Sequence, residues 1–211
     1  MRKEIRICGF GGQGIILAGI ILAKAASIFD NKESIQTQSY GPEARGGASK
    51  CEVIISDKAI EYPKVQSPDI LIAMSNEALI KYIVDLKDEG ILIVDPTTTD
   101  VNDVKEFIDN RNIKVYEAPA TKTAIDEIGL KIVANIVMVG AITKITEVIS
   151  KKAAIDSVLD SVPKGTEDMF CISFPSSIRS LQLSSKRRSL VSTDISRSVS
   201  CGWRSLVPCG V

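Results

Sequence analysis

The sequence of 211 residues predicts an α/β fold, a mostly parallel sheet flanked by helices, with a helical C-terminal part and a disordered or atypical tail. Three observations predict it. Short apolar runs alternate with segments of helical period as far as residue 118, the order expected of strands joined by crossover helices. Residues 69–74 (DILIAM) and 90–95 (GILIVD) each hold a continuous apolar run, as expected of parallel strands covered on both faces. A glycine-rich turn joins the first strand to the first helix.

Residues 5–9 read as a strand with Ile5 and Ile7 on one face, and residues 13–29 as a helix closing near Asp30 and Asn31. A second strand at 34–38 leads into a polar loop, 39–47, and residues 48–56 (ASKCEVIIS) alternate as a strand does. Strand 69–74 precedes a helix at 76–84. Strand 90–95 ends at Pro96, and a helix over 101–109 and a strand over 113–118 complete the alternation. From 121 to 162 the pattern is helical. Residues 130–149 are apolar around much of the helix, which predicts burial against the sheet or another subunit. An amphipathic helix at 151–162 ends at Pro163-Lys164-Gly165.

After Met169 the character changes. Residues 170–211 hold twelve serines, three of the five cysteines and the single Trp, without a sustained period of 2 or 3.6. Such composition predicts disorder, with a small serine-rich β appendage as the alternative. The expected organisation is a domain over 1–169 and an atypical, disordered or non-native tail over 170–211.

Composition excludes several chemistries. Histidine is absent, which removes Ser-His-Asp and Cys-His catalysis, His-ligated zinc and His proton shuttles. The five cysteines form no C-x-x-C pair, which argues against a self-contained iron–sulfur cluster or zinc knuckle. No G-x-x-x-x-G-K-[ST] occurs. Charge balances at 26 basic against 26 acidic residues, yet the tail holds six Lys/Arg and one Asp, so the body is mildly acidic and unsuited to nucleic acid. Glu4, Arg6 and the glycines interrupt what superficially resembles a signal peptide, and the apolar runs fall short of the roughly 20 residues of a membrane span. The expectation is a cytoplasmic protein with reduced cysteines and no membrane partner.

Gly9-Phe10-Gly11-Gly12-Gln13-Gly14 fits G-x-G-x-x-G between a strand and a helix. There, glycines permit positive φ and close backbone approach, and the helix N-terminus favours a phosphate or carboxylate. A dinucleotide site also needs an acid at the end of the second strand. That strand ends Gln36-Thr37-Gln38-Ser39, with Glu33 at its start, so NAD is disfavoured. The competing reading is that these glycines serve only tight strand–helix packing. The second loop, from Ser39 and Tyr40 through Glu43 and Arg45 to Gly46 and Gly47, is expected beside the first, at the carboxyl ends of adjacent strands. Arg45 either clamps a phosphate or carboxylate or pairs with Glu43 at the surface. Asn135, alone and polar in an apolar helix, is expected to cap a nearby loop, and Cys8 and Cys51 to be small core residues.

At these loops the sequence resembles the γ subunit of 2-oxoacid:ferredoxin oxidoreductases of the 2-oxoglutarate type, within the pyruvate/ketoisovalerate oxidoreductase γ family. The resemblance rests on Gly9-Phe10-Gly11-Gly12-Gln13-Gly14-Ile15 and Ser39-Tyr40-Gly41-Pro42-Glu43-Ala44-Arg45-Gly46-Gly47. Pro68-Asp69-Ile70-Leu71-Ile72-Ala73-Met74-Ser75 and Val133-Ala134-Asn135-Ile136-Val137-Met138-Val139-Gly140 extend it. It implies a Rossmann-like, non-redox subunit with no catalytic residue and no metal of its own. The two loops, at Gly9, Gly11, Gly12, Gln13, Gly14, Ser39, Tyr40, Glu43, Arg45, Gly46 and Gly47, would bind a cofactor, coenzyme A, or else meet a partner subunit. Thiamine diphosphate and iron–sulfur clusters would reside on partner subunits (α, β and δ), with ferredoxin reached through the complex. Together these would convert a 2-oxoacid and coenzyme A to acyl-CoA. The resemblance stops after Lys164-Gly165-Thr166-Glu167-Asp168-Met169, where Phe170-Cys171-Ile172 does not continue the family pattern. The alternative from another functional class is a stand-alone Rossmann-type nucleotide-binding or regulatory module.

Overall fold

The computed structural model describes residues 1–39, 48–162, 179–181 and 192–194. Strands β1 (Arg2–Phe10), β2 (Glu33–Ser39), β3 (Ala48–Ser56), β4 (Ile70–Ala73), β5 (Ile91–Val94) and β6 (Lys114–Glu117) stand in the order β2-β3-β1-β4-β5-β6. β1, β4, β5 and β6 pair in parallel, whereas β3 runs antiparallel to both β1 and β2. Five of these six strands therefore point the same way and β3 alone is reversed. The reversal follows from chain length. Only residues 40–47 separate β2 from β3, too few for a parallel crossover but enough for a hairpin.

This corrects one expectation. β1 and β2 are not adjacent, because β3 lies between them. Their carboxyl ends nevertheless share one edge of the sheet, since Phe10 is opposite Ala48 and Ser39 is opposite Lys50.

Helices cover both faces. On one face lie α1 (Ile15–Lys24, continued as a π turn over Ala25–Phe29), α4 (Ala120–Thr123), α5 (Ala134–Thr146) and α6 (Lys151–Ser161), sharing a core with Ile5, Ile7, Ile72 and Ile93. On the other, α2 (Asn76–Tyr82) and α3 (Lys105–Asn110) pack over Cys8, Leu71, Leu92 and Val94. The apolar circumference of α5 is explained within the chain. Every residue from Ala134 to Thr143 is buried, among α1, α4 and α6. That helix begins later than its hydropathy suggests, because a 3-10 turn occupies Lys131–Val133. Asp30 closes the first helix and its carboxylate accepts from the N–H and hydroxyl of Ser150, the N-cap of α6.

Two short strands, β7 (Arg179–Leu181) and β8 (Ser192–Asp194), extend the sheet antiparallel beyond β6. Within the 170–211 tail these six residues are strand. Backbone hydrogen bonds to an open edge need no side-chain pattern. The rest of 170–211 lies outside the described residues.

The sheet also holds a buried cation. Arg6 is 2% exposed, pairs across strands with Glu52 at 2.8 Å, pairs with Asp85, and lies over the Tyr82 ring. Arg6 is buried, but Glu52 keeps Lys50 at 2.9 Å and Asp85 is part exposed, so Arg6→Met is expected to lower unfolding free energy by about 1–3 kcal/mol, the worth of its charged hydrogen bonds. The double change Arg6→Met with Glu52→Leu should recover much of that loss. Urea unfolding of both variants is the measurement, and equal losses would show that the pairing is immaterial.

Burial pushes the Cys8 thiol up to about 12, partly opposed by the Arg6 charge. Cys51 and Tyr82 shift the same way, each mainly through burial. The native state therefore holds protons that the unfolded chain releases. This contribution is intact below the ordinary thiol range and fades as pH rises through it toward 12. Stability should fall above about pH 9, with one such thiol adding up to about 1.4 kcal/mol per pH unit. Urea midpoints taken from pH 8 to 10.5 test this, and Cys8→Ala should flatten the decline.

Candidate functional site

The chain turns one way from β1 toward β2 and β3 and the other way toward β4, so the sheet has its topological switch point between β1 and β4. The glycine loop, residues 11–14, opens there, at the carboxyl edge where α/β sheets receive ligands. Gly12 has φ 95° and Gly14 φ 71°, conformations that a side chain would strain. Gly14 is the N-cap of α1, with no side-chain cap and no acidic residue in the first turn. The first intrahelical bond runs from the N–H of Ala18 to the carbonyl of Gly14, so the preceding amides have no partner within the helix. They and the helix dipole make this end receptive to an anion.

Gln13 uses both ends of its carboxamide within the turns. Its Oε1 accepts from the Phe10 N–H at 2.6 Å and its Nε2 donates to the Met74 carbonyl at 2.7 Å. The Thr98 hydroxyl donates to that same carbonyl at 2.9 Å. Turns after β1, β4 and β5 are thus joined at one oxygen. Gly9 belongs to this packing, since a Cβ there would collide with Gln13 Oε1 and crowd Ile15 and Met74. Gly11 and Gly12 are exposed, and a Cβ on Gly12 would meet open space. The glycines therefore divide between the two readings: Gly9 serves packing, whereas Gly11 and Gly12 present backbone.

Asn135 does cap a loop. It is 3% exposed and donates from Nδ2 to the Gly14 carbonyl at 3.2 Å. Of the second loop, Ser39 ends β2, while Tyr40, Glu43, Arg45, Gly46 and Gly47 lie outside the described residues.

Sequence reasoning missed Asp95. It follows β5, is fully buried, and its carboxylate accepts from the N–H groups of Thr97 at 3.0 Å and Thr121 at 2.7 Å. A carboxylate ending an apolar run and followed by Pro-Thr-Thr-Thr was the available signal. Cys8 and Cys51 are both buried, on opposite faces of the sheet. Among the described residues, no group of three or more His, Cys, Asp or Glu is placed to hold a metal ion. No described helix is long and apolar enough to cross a membrane.

Against known proteins, the profile of the pyruvate ferredoxin/flavodoxin oxidoreductase family matches residues 4–169. The chain belongs to this family. The family domain ends at the residue where the composition changes. A 2-oxoglutarate synthase subunit KorC from Methanothermobacter marburgensis is 59% identical over 174 residues, covering 82% of this chain and 94% of that one. The γ subunit of a keto/oxoacid ferredoxin oxidoreductase from Geobacter sulfurreducens PCA superposes with a TM-score of 0.71 at 44% identity, over 82% of this chain and 93% of that one. A 2-oxoglutarate:ferredoxin oxidoreductase from Magnetococcus marinus, solved with 2-oxoglutarate, coenzyme A and succinyl-CoA, shares the fold at 21% identity and a TM-score of 0.71. The match covers 82% of this chain and 30% of that longer chain, which carries this fold as one part.

The Gln13 bridge yields a prediction. Gln13→Ala should lower stability by about 1–2 kcal/mol, the worth of two partly exposed hydrogen bonds. Hydrogen exchange should quicken over residues 10–14 and stay slow at Ile5 and Ile7. Uniform quickening would mean that the bridge holds the whole sheet and not the loop alone.

Proposed function

We propose that this chain is the γ subunit of a 2-oxoglutarate:ferredoxin oxidoreductase, acting within a multi-subunit complex that makes acyl-CoA by oxidative decarboxylation and reduces ferredoxin. Similarity to KorC over nearly its whole length supports this reading. The α, β and δ chains are its partners, and thiamine diphosphate and the iron–sulfur clusters belong on them. The described residues offer nothing that fits a cluster, because both described cysteines are buried apart from one another. No catalytic residue is assigned to this chain.

Its contribution is a surface for coenzyme A. The single observation that carries this is the uncapped N-terminus of α1 behind exposed Gly11 and Gly12, at the sheet's switch point. Ser39 and Ala48, which flank the second loop, stand at the same edge, and Arg45 is the formal cation of the sequence between them. Coenzyme A is anionic, and backbone amides with a guanidinium recognise phosphate by charge-assisted hydrogen bonds. The working unit is residues 1–169, and 170–211 is an appended tail without a part in the site. The complex is cytoplasmic.

The purified chain alone is expected to be inactive with 2-oxoacids, and activity should appear on reconstitution with its partners. In the complete complex, Arg45→Ala should raise the KM for coenzyme A about tenfold, as expected for one charge-assisted contact. Gly12→Val should act in the same direction by straining the loop. Steady-state kinetics with size-exclusion chromatography is the measurement. Wild-type turnover by both variants at limiting coenzyme A would remove the site assignment.

A further inference from the structure

We infer that Asn135 is a positioning residue for the glycine loop: from the core it holds the Gly14 carbonyl, and so fixes the direction in which the first-turn amides of α1 meet an anion. This rests on the coenzyme A reading above. Asn135 lies 121 positions from Gly14, in a run where Val133, Ala134, Ile136, Val137 and Met138 are all buried. Both ends of its carboxamide are used. Nδ2 donates to the Gly14 carbonyl at 3.2 Å, and Oδ1 accepts the N–H of Ile136 at 3.0 Å.

The carbonyl it holds is the first acceptor of α1, bonded also by the N–H of Ala18 at 3.0 Å. A helix start is ordinarily fixed by a Ser, Thr, Asp or Asn at the N-cap, whose side chain occupies first-turn amides. Here the N-cap is Gly14, in the left-handed region, and a Cβ on it would collide with the Asn135 carboxamide. The support has been moved to the other side of the peptide. Asn135 steadies the helix start through a carbonyl, and no side chain of the N-cap takes up the amides. A cap serving stability alone would occupy them. Gln13 completes the arrangement by fixing the loop between Phe10 and Met74.

The test uses the complete complex carrying Asn135→Leu, which removes the donor at similar volume, and Asn135→Asp, which sets a carboxylate against the carbonyl. Both should raise the KM for coenzyme A about 3- to 10-fold, the effect of one misplaced hydrogen bond, with Asp the stronger. The KM for the 2-oxoacid and assembly by size-exclusion chromatography should not change. Val137→Ala, a cavity in the same buried helix, should lower the melting temperature and leave the coenzyme A KM unmoved. An equal rise in Val137→Ala, an unchanged coenzyme A KM in both Asn135 variants, or failure of both to assemble would overturn the inference. Wild-type KM values in Arg45→Ala and Gly12→Val would instead overturn the site reading itself. A rise in those two without one in the Asn135 variants would overturn only the positioning role.

Discussion

The carbonyl of Met74 is the point on which the carboxyl edge of the sheet depends. It accepts from the Gln13 carboxamide and the Thr98 hydroxyl, and thereby joins the turns that follow three neighbouring parallel strands. Backbone polar groups at strand ends lack ladder partners and must find others when buried. Here they are found in one place. The glycine loop, the start of α2 and the Thr-rich turn after β5 therefore cannot shift independently. The fully buried Asp95 extends the same constraint to the turn after β6 through the N–H of Thr121.

Side-chain hydrogen bonds hold the glycine-rich loop at this edge. Gly12 and Gly14 carry the positive φ that lets the chain turn from β1 into α1 in a few residues, and Gly9 removes the volume that would keep Gln13 from reaching Phe10 and Met74. Glycine costs more ordering entropy than other residues, on the order of 1 kcal/mol each. Gln13 and Asn135 offset that cost by gripping the loop from both sides. Tight packing and exposed backbone are thus not rivals. The packing glycine positions the exposed ones.

The reversed strand β3 shapes both the interior of the sheet and its carboxyl edge. It carries Glu52 opposite Arg6, so an ion pair forms inside the sheet where an all-parallel arrangement would place aliphatic residues. It also returns the chain from β2 so that Ala48 stands beside Phe10 at the carboxyl edge. On its other face, Gly19 of α1 comes so close to Cys51 that a Cβ would collide with the sulfur, which keeps α1 low over β3 and aims its N-terminus at the switch point.

Much was legible in the sequence because hydrophobic periodicity and glycine placement are local signals. The strands at 48–56, 69–74 and 90–95, the helix after the glycine loop and the burial of Cys8 and Cys51 all follow from side-chain patterns within ten residues. The motif residues from Gly9 to Gly14 likewise disclose a strand–turn–helix before any coordinate is known. Tertiary structure alone decided the rest. That β3 separates β1 from β2, that Arg6 is buried against Glu52 and Asp85, and that the tail lends two strands to the open edge of β6 depend on which segments meet in space. Asn135 shows the division most plainly. Its oddity in an apolar helix announces a buried partner, but the partner is a carbonyl 121 residues away, and no pattern along the chain encodes a contact that exists only once α5 lies against the start of α1.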